Sequence, residues 1–482
     1  MNQRLQRRHQ RSIQKRIIVR GVLELETPTC LSSGDAEADT DLPLLRDTVE
    51  NKALLLGSSI AGALRSYLES CLSHAQLFGG TRRATDGIQS PLIVEDALSQ
   101  QVLATELRDG VKIDGETGTA SDTAKYDLEL LQAGTRFDLG FELLVNQKTE
   151  VQLKEELAIA LKGLEQGHIP IGMKKRRGFG QCSVKQWQVW EFDLTNDRER
   201  QAWLLFDHQW RSLHNDIPIH PSISEALGVN APVHQFKTFT IKATFALASP
   251  LLIRSGQNDQ DKAPDVVHLK SKRSNGNQPI ISGTSLAGVL RHRAMRIINT
   301  INLHESIVQD IFGYEPEDAK KQSTKKQGKA SRLTVQESVI EQTQDLVQTR
   351  IAIDRFTGGA LHGALLQEQP IFGGEVTLKL ELRNPKKHEI GLLLLLLKDL
   401  WTGDLPVGGS SSVGRGRLQG KEATITWQCS EPKCWKIEQE GDRQLKVTDL
   451  QNSSQAEKCV KQGLEGYVQA LKTHFNGSGG QS

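Results

Sequence analysis

The sequence reads Gly57-Ser58-Ser59-Ile60-Ala61-Gly62-Ala63-Leu64-Arg65 in its first half and Gly283-Thr284-Ser285-Leu286-Ala287-Gly288-Val289-Leu290-Arg291 in its second half. Four further pairs of segments recur in the same order and at nearly constant separation. They are Leu23–Pro28 with Phe245–Pro250, Leu77–Gly79 with Ile311–Gly313, Ile113–Gly118 with Ile353–Gly358, and Gly178–Gly180 with Gly414–Gly416. Collinear pairs of this kind indicate an internal duplication.

The duplication predicts two homologous domains, residues 17–195 and 236–482, joined by a bridging segment, residues 196–235. Each copy reads as a strand, a helix, further strands, a second helix, a Gly-rich loop and a last strand. We expect Ser58 or Ser59 to cap the first helix of one copy, and Thr284 or Ser285 that of the other. This order predicts an α+β fold, two tandem ferredoxin-like (RRM-like) domains with insertions.

The composition indicates a globular protein of ordinary make-up. Of 482 residues, 37% are hydrophobic and 24% are charged. The longest apolar run, Leu392–Leu397, has six residues, whereas a helix needs about 20 to cross a bilayer. We found no secretory signal pattern. The six cysteines are too sparse for a disulfide framework, so we expect reduced thiols, a cytoplasmic location and no membrane partner.

The charge is clustered although the net charge is only +2. Residues 1–20 and residues 319–332 contain basic but no acidic side chains, and Lys174–Arg177 are four consecutive cations. Such patches suggest a polyanionic partner that is bound at defined places. The alternatives are solvated surface and, for residues 1–20, an organelle transit peptide. We expect the insert 319–332 to be a mobile loop.

The Gly-rich loops are the first candidate binding elements. Glycine permits backbone conformations that turn amide N–H groups outward into an anion-binding nest, and neighbouring basic side chains add charge-assisted bonds to phosphate. The alternative is a tight helix-to-strand turn. The candidate residues are Lys174, Lys175, Arg176, Arg177, Gly178, Phe179 and Gly180 in the first copy and Gly414, Arg415 and Gly416 in the second.

The starts of the first helices are the second candidate. Ser58 and Ser59, or Thr284 and Ser285, lie at a helix N-terminus, which carries partial positive charge and suits phosphate. Arg65 and Arg291 follow about two turns later on the same face. The alternative is that the hydroxyls only cap the helix.

These motifs together resemble the RAMP superfamily of ferredoxin-like RNA-binding proteins from CRISPR systems. The helix G-S/T-S-x-x-G-x-L-R, the downstream G-x-G loop and the Phe-Gly after the first helix carry the resemblance, which covers most of residues 17–190 and 236–427. The chain is most similar to the backbone subunit of type III effector complexes, here in a tandem fusion like that of the D subtype. The bridge, the insert 319–332 and the tail after about residue 430 lie outside it.

The resemblance implies an antiviral role in which each domain binds the CRISPR guide RNA backbone. A protruding hairpin displaces a base, and the paired target RNA is cleaved beside it. The other implied partners are further type III effector subunits, including the large polymerase-like subunit. The family's cleaving residue is an Asp between the first strand and the first helix, which places Asp41 and Asp265 in the catalytic and metal-binding role. The alternative is a structural RNA-binding subunit without endoribonuclease activity.

An Asp in this role is expected to act only by binding a cation that stabilises charge. A carboxylate can hold a divalent cation, for which we expect Mg²⁺, and the cation stabilises charge on the attacked phosphate. Neighbouring acids can share the metal or form only a solvated acidic loop. These acids are Asp35, Glu37, Asp39 and Asp47 in the first copy and Asp259 and Asp261 in the second.

A metal-free histidine mechanism is the main competitor, and a free-standing processing ribonuclease is a third possibility. His268, His292 and His362 have no counterparts in the first copy, so we interpret them as packing or surface residues. The segments 117–126 and 357–365, led by Asp114 and Asp354, are predicted to be either the base-displacing hairpins or ordinary Asp-led turns.

Overall fold

The computed structural model describes residues 13–32, 41–80, 88–115, 117, 119–207, 217–232, 234–254, 264–273, 275–314, 328–441, 444–452 and 457–474. The chain divides into two compact units. Unit 1 consists of Met1–Glu106, Glu129–Lys175 and Gly180–His234. Unit 2 consists of Gln235–Ser482 together with two stretches from the first copy, Leu107–Leu128 and Arg176–Phe179.

Helices and strands alternate in the first copy in the order that the sequence predicts. They are β1 (Lys15–Leu25), β2 (Arg46–Asp47), β3 (Lys52–Leu55), α1 (Gly57–Cys71), β4 (Leu92–Val94), β5 (Ala97–Leu98), β6 (Thr105–Ile113), β7 (Ala120–Leu131), β8 (Arg136–Val145), α2 (Glu150–Glu165), β9 (Cys182–Asp193), α3 (Asp197–Leu204) and α4 (Ile223–Ala226). The strands β4, β8, β1 and β9 form an antiparallel sheet in that spatial order, with the first strand of the chain near the centre.

The core of unit 1 follows from the alternation of β1. Ile17, Val19 and Leu23 are fully buried on one face of the strand. Ile18 on the opposite face is also buried, in a second cluster, whereas Val22 and Glu24 further along that face are partly exposed. The helices α1 and α2 approach each other closely at Gly163, where a Cβ atom would lie 2.6 Å from the ring of Tyr67. Glycine at this position therefore permits the helix packing.

The second copy repeats the order and extends it. Its elements are β10 (Thr238–Leu247), β11 (Val266–Val267), β12 (Lys270–Arg273), β13 (Gly276–Ile281), α5 (Gly283–Thr300), α6 (Ser306–Phe312), β14 (Leu333–Val335), β15 (Ser338–Glu341), β16 (Gln344–Asp345), β17 (Gln348–Ile353), β18 (Ala360–Gln369), β19 (Ile371–Phe372), β20 (Glu375–Arg383), α7 (Lys387–Trp401), β21 (Leu418–Gln428), β22 (Lys433–Glu440), β23 (Gln444–Asp449) and α8 (Glu457–Thr473). The main sheet has the order β12-β13-β15-β20-β10-β21-β22-β23, with β14 also paired to β20.

The tail after residue 430 is an integral part of unit 2. The strands β22 and β23 add to the edge of β21, and α8 packs against α7. Trp435, Val447 and Tyr467 join the hydrophobic core of this unit. At Gly391 of α7, a Cβ atom would lie 2.2 Å from the carbonyl oxygen of Tyr467, so the contact between the two helices requires glycine.

The α+β class and the ferredoxin-like order are confirmed in both copies. The predicted helix caps are wrong. The helix α1 begins at Gly57, whose N–H donates to the carboxylate of Asp96 at 2.7 Å. The helix α5 is capped by Ser282, which accepts from the N–H of Ser285. The predicted cap residues instead occupy the first helical turns, because each helix begins one to three residues earlier than the hydroxyl pattern suggests.

Within the described residues, no helix combines the length and the apolar character needed to span a bilayer.

Candidate nucleic-acid interface

The N-terminus of α5 presents hydroxyl groups at the positive end of a helix. The hydroxyl of Ser282 accepts from the N–H of Ser285 at 3.3 Å and from the hydroxyl of Thr284 at 3.2 Å. Because Ser282 supplies the cap, Thr284 and Ser285 are not needed for it, and both remain partly exposed. The hydroxyl of Ser285 accepts from the hydroxyl of Ser282 at 2.8 Å and keeps its own hydrogen. The positive end of the helix therefore still offers one hydroxyl donor to a phosphate oxygen.

Arg177 lies beside this helix start and close enough to Arg291 for the two charges to interact. Burial, and secondly the positive charge of Arg291, lower the pKa of the Arg177 guanidinium. Within the described residues, Nη1 of Arg177 is buried without a hydrogen-bond partner. The carbonyl oxygen of Arg177 lies against Gly283, where a Cβ atom would approach it to 2.1 Å. The arginine is thus fixed at the N-terminus of α5 with donor capacity left over, and an anion would satisfy it.

The other residues of the predicted basic loop belong to two different units. Arg176 donates to the hydroxyl of Thr334 at 3.0 Å, and burial is the main reason that its pKa is lowered. Phe179 is buried. Lys174 and Lys175 are partly exposed and belong to unit 1. Arg176, Arg177 and Phe179 are therefore fixed within unit 2, and the charge they bring is attached to that unit.

The expectation that the closing glycines of the loops turn their amides outward is wrong. The N–H of Gly180 donates to the carbonyl of Pro28 at 3.0 Å, and the N–H of Gly416 donates to that of Pro250 at 2.9 Å. Both glycines have positive φ, and a Cβ atom on either would lie under 2 Å from a carbonyl oxygen, of Ile171 or Val407. These two amides stabilise the fold and are not available to a phosphate.

Arg415 of the second loop lies inside unit 2. Its side chain is 3% exposed, and Nη1 lies 2.8 Å from Oε2 of Glu368, whose side chain is 2% exposed. Its Nη2 donates to the side-chain oxygen of Gln348 at 2.6 Å. Arg417, two residues later, is exposed. The geometry of Arg415 is that of a buried ion pair, whereas Gly414 remains on the surface.

The start of α1 differs from that of α5. Ser58 and Ser59 are exposed, but the carboxylate of Asp96 already occupies the N–H of Gly57. Arg65 donates to the carbonyl oxygens of Phe78 and Gly79, and its guanidinium lies 5.7 Å from the ring centre of Phe78. Arg65 therefore holds the Phe-Gly turn, and the second copy offers the more favourable anion site.

Asp41 is exposed at the start of a loop that is fixed to β7 through one buried carboxylate. Glu129 accepts from the N–H of Leu44 at 3.1 Å and forms a close ion pair with Arg46. Its own N–H donates to the carbonyl of Leu42 at 3.3 Å. Asp47 is partly exposed at the end of β2. Asp35, Glu37 and Asp39 lie outside the described residues.

Asp265 is exposed at the corresponding place in unit 2 and is fixed to β18. Its carboxylate accepts from the N–H of Gln367 at 2.7 Å, and the following strand β11 pairs in parallel with Glu368 and Gln369. Asp259 and Asp261 lie outside the described residues, and so does most of the insert 319–332. Among the residues that the structure describes, no group of three or more His, Cys, Asp or Glu side chains is arranged to hold a metal.

His268 is enclosed and is not accessible as an acid or base. Its Nδ1 accepts from the N–H of Ile253 at 3.2 Å, and its Nε2 lies 3.1 Å from the carbonyl of Ile280. Burial lowers its pKa to about 4, so the ring is neutral near neutral pH. His292 is partly exposed and His362 is exposed. The enclosed position of His268 agrees with a packing role, and the exposure of His292 and His362 agrees with surface roles.

The Asp-led segments form the tips of two long hairpins, β6–β7 and β17–β18. At the first tip, Asp114 accepts from the N–H of Thr117 at 2.8 Å. At the second, Asp354 accepts from the N–H groups of Phe356 and Thr357, both at 2.8 Å, and these bonds lower the pKa of Asp354. Phe356 is 99% exposed. An Asp-led turn therefore closes each hairpin, and the base-displacing role stays a prediction.

Sequence reasoning missed the buried carboxylates that organise these loops, Glu129, Glu368 and Glu337. The side chain of Glu337 is 0% exposed and is paired with Arg108 at 2.9 Å and, more closely, with Arg273. No local pattern reveals them, because each partner is distant in the sequence. The one available signal is an isolated acid within an otherwise strand-forming segment.

Two ferredoxin-like sheets with cations gathered at a helix start are characteristic of an RNA-binding protein. The sequence model of the RAMP superfamily matches residues 22–183 and 244–419. The matched segments make up more than half of the chain, and the chain therefore belongs to the RAMP superfamily, in a tandem two-copy form. Membership makes it a CRISPR-associated RNA-binding protein with CRISPR RNA and effector subunits as its partners. A search of curated proteins found no match.

Proposed function

We propose that this protein is a guide-RNA-binding backbone subunit of a type III CRISPR effector complex and that it also cleaves complementary target RNA at one or two sites. The observation that carries the binding proposal is the cationic start of α5, where Arg177 lies beside the helix N-terminus that carries Thr284 and Ser285. Arg291, about two turns further along the helix, is close enough to act on the charge of Arg177. The proposed partners are the guide RNA, the target RNA and the other type III subunits, including the large polymerase-like subunit.

The binding is independent of sequence. Guanidinium groups, hydroxyls and a helix N-terminus contact phosphate oxygens, which position a strand without reading its bases. The hairpins β6–β7 and β17–β18 are the elements proposed to displace bases, since an Asp-led turn closes the tip of each. The paired target strand then passes beside the loops that carry Asp41 and Asp265.

The proposed cleavage uses the RNA's own 2′-hydroxyl. This oxygen attacks the adjacent phosphorus, the bond to the 5′-oxygen breaks, and the products are a 2′,3′-cyclic phosphate and a 5′-hydroxyl. A bound divalent cation, proposed to be Mg²⁺, supplies charge stabilisation at the phosphate. Asp41 and Asp265 are the residues that would hold it. A single exposed carboxylate fits a cation that takes its remaining ligands from water and RNA phosphates, as Mg²⁺ does.

A structural subunit without cleavage is the second candidate. It is favoured by one observation, the lack of a three-ligand cluster among the described residues around either Asp. A free-standing ribonuclease that uses histidine is less well supported, because His268 is enclosed.

The test replaces Asp41 and Asp265 by Ala, singly and together, in the complex assembled with guide and target RNA. We expect each single change to remove one set of cuts and the double change to remove both, with guide binding unchanged. Denaturing electrophoresis of end-labelled target resolves the products. Full cleavage by the double variant would mean that neither Asp41 nor Asp265 is catalytic.

A further inference from the structure

Arg415 and Glu368 form the root of the hairpin β17–β18. Glu368 lies on β18, and both of its charged partners approach the same oxygen, Arg415 at 2.8 Å and Arg350 of β17 at 3.3 Å. Arg415 also bonds to Gln348 at the start of β17. One guanidinium from the Gly-rich loop therefore contacts both strands where they leave the body of unit 2.

The segment of β18 around Glu368 also contacts the loop that carries Asp265. Gln367, next to Glu368 on β18, donates its N–H to the Asp265 carboxylate at 2.7 Å. Val266 and Val267 pair with Glu368 and Gln369, and the N–H of His268 donates to the carbonyl of Gln369 at 3.0 Å. The backbone of β18 thus carries the Asp265 loop on one edge, while its Glu368 side chain is fixed by the Gly-rich loop.

We propose that Arg415 and Glu368 are positioning residues that set the place of Asp265 and couple it to the Gly-rich loop. The inference rests on the proposed cleavage function. It explains why an arginine of this loop is buried: its charge acts on the hairpin root rather than on RNA. The first copy has Phe179 at the position of Arg415, and its Asp41 loop is held by Glu129 and Arg46 instead.

The test is Glu368→Gln in the assembled complex. The amide keeps the size of the side chain but leaves two buried or half-buried guanidiniums without their counter-charge, so the root shifts. Because a displacement of about 1 Å at a catalytic group can cost about a hundredfold in rate, we expect the Asp265-dependent cuts to slow by about tenfold to a hundredfold. Single-turnover rates of the Asp41-dependent cuts and the affinity for guide RNA should stay unchanged.

The matched control is Glu375→Gln on β20, where Glu375 is partly exposed and paired only with Lys421 among the described residues. It should leave every cut at its wild-type rate. A graded pair tests the arginine: Arg415→Lys keeps the charge and should retain more Asp265-dependent cleavage than Arg415→Met, which removes it.

The outcomes separate the two proposals. If Asp265→Ala leaves all cuts intact, the proposed cleavage function fails for this site. If Asp265→Ala removes its cuts while Glu368→Gln and Arg415→Met cleave at the wild-type rate, the positioning inference is wrong. A loss of both sets of cuts together with guide binding in Glu368→Gln would also overturn it, since that pattern indicates a general structural role.

Discussion

Arg177 is the residue on which RNA affinity should depend most. It is fixed beside Gly283, carries a buried Nη1 without a described partner and lies close to Arg291. We expect Arg177→Gln to weaken guide RNA binding and to reduce the log–log salt slope of affinity by about 0.7, the value for one lost phosphate contact on a single strand. Fluorescence titration at several salt concentrations measures the slope.

The control for this change is Lys461→Gln on α8, where Lys461 pairs with Glu457 at 2.8 Å. It removes the same charge and should leave the slope unaltered. Equal slopes for wild type and Arg177→Gln would mean that this guanidinium contacts no phosphate.

His268 makes the stability of unit 2 depend on pH. Its pKa is lowered to about 4 by burial, against 6.5 in the unfolded chain. Between these values the unfolded state binds the proton and the folded state does not, so stability falls as pH decreases from 6.5 to 4. The contribution is about 3 kcal/mol at the acidic end of this window. In His268→Gln, thermal unfolding should depend less on pH across it.

His362→Gln serves as the comparison, because the side chain of His362 is exposed on β18. Its pH profile of unfolding should match that of the wild type. The same profile in His268→Gln would show that the buried imidazole does not control the acid sensitivity.

At the scale of elements, the contact between α7 and α8 can be tested with two glycines. Gly391→Ala would place a methyl group 2.2 Å from the carbonyl oxygen of Tyr467, backbone that cannot simply rotate away. We expect a loss of about 1–3 kcal/mol in the free energy of unfolding of unit 2, typical of overpacking. Gly463→Ala on α8 meets nothing within 4 Å and should stabilise the helix by about 0.5–1 kcal/mol. Chemical denaturation of both variants measures the difference, and destabilisation of equal size in both would contradict this packing.

The same scale shows which elements can be predicted from sequence. The sequence predicts strands at Leu92–Val94 and Leu333–Val335, and β4 and β14 have these bounds. It predicts helices at Leu153–Leu164 and Ile390–Leu400, and α2 and α7 are only one to three residues longer at each end. The helix starts were misplaced because a hydroxyl pattern cannot distinguish a cap from a first turn. The cap of α1 is Asp96, which follows the helix in sequence and reaches it only in the folded chain.

At the scale of the whole molecule, the duplication predicts the fold but not the composition of the site. The sequence pattern of each half places Arg177 in a loop of the first copy. In the structure it belongs to unit 2, beside the helix of the second copy. The ion pair of Glu368 with Arg415 was missed for a related reason, since 47 positions of sequence, 415 minus 368, separate the partners.

Residues 107–128 and 176–179 belong to unit 2, and this bears on whether the two copies could be encoded as separate polypeptides. A gene split inside the bridging segment would produce a second polypeptide lacking two stretches from which its own compact unit is built. Translation as one chain delivers these parts in equal number and fixed order every time. Fusion of the two copies therefore does more than set a ratio of subunits, because the first copy supplies two stretches of the compact unit of the second.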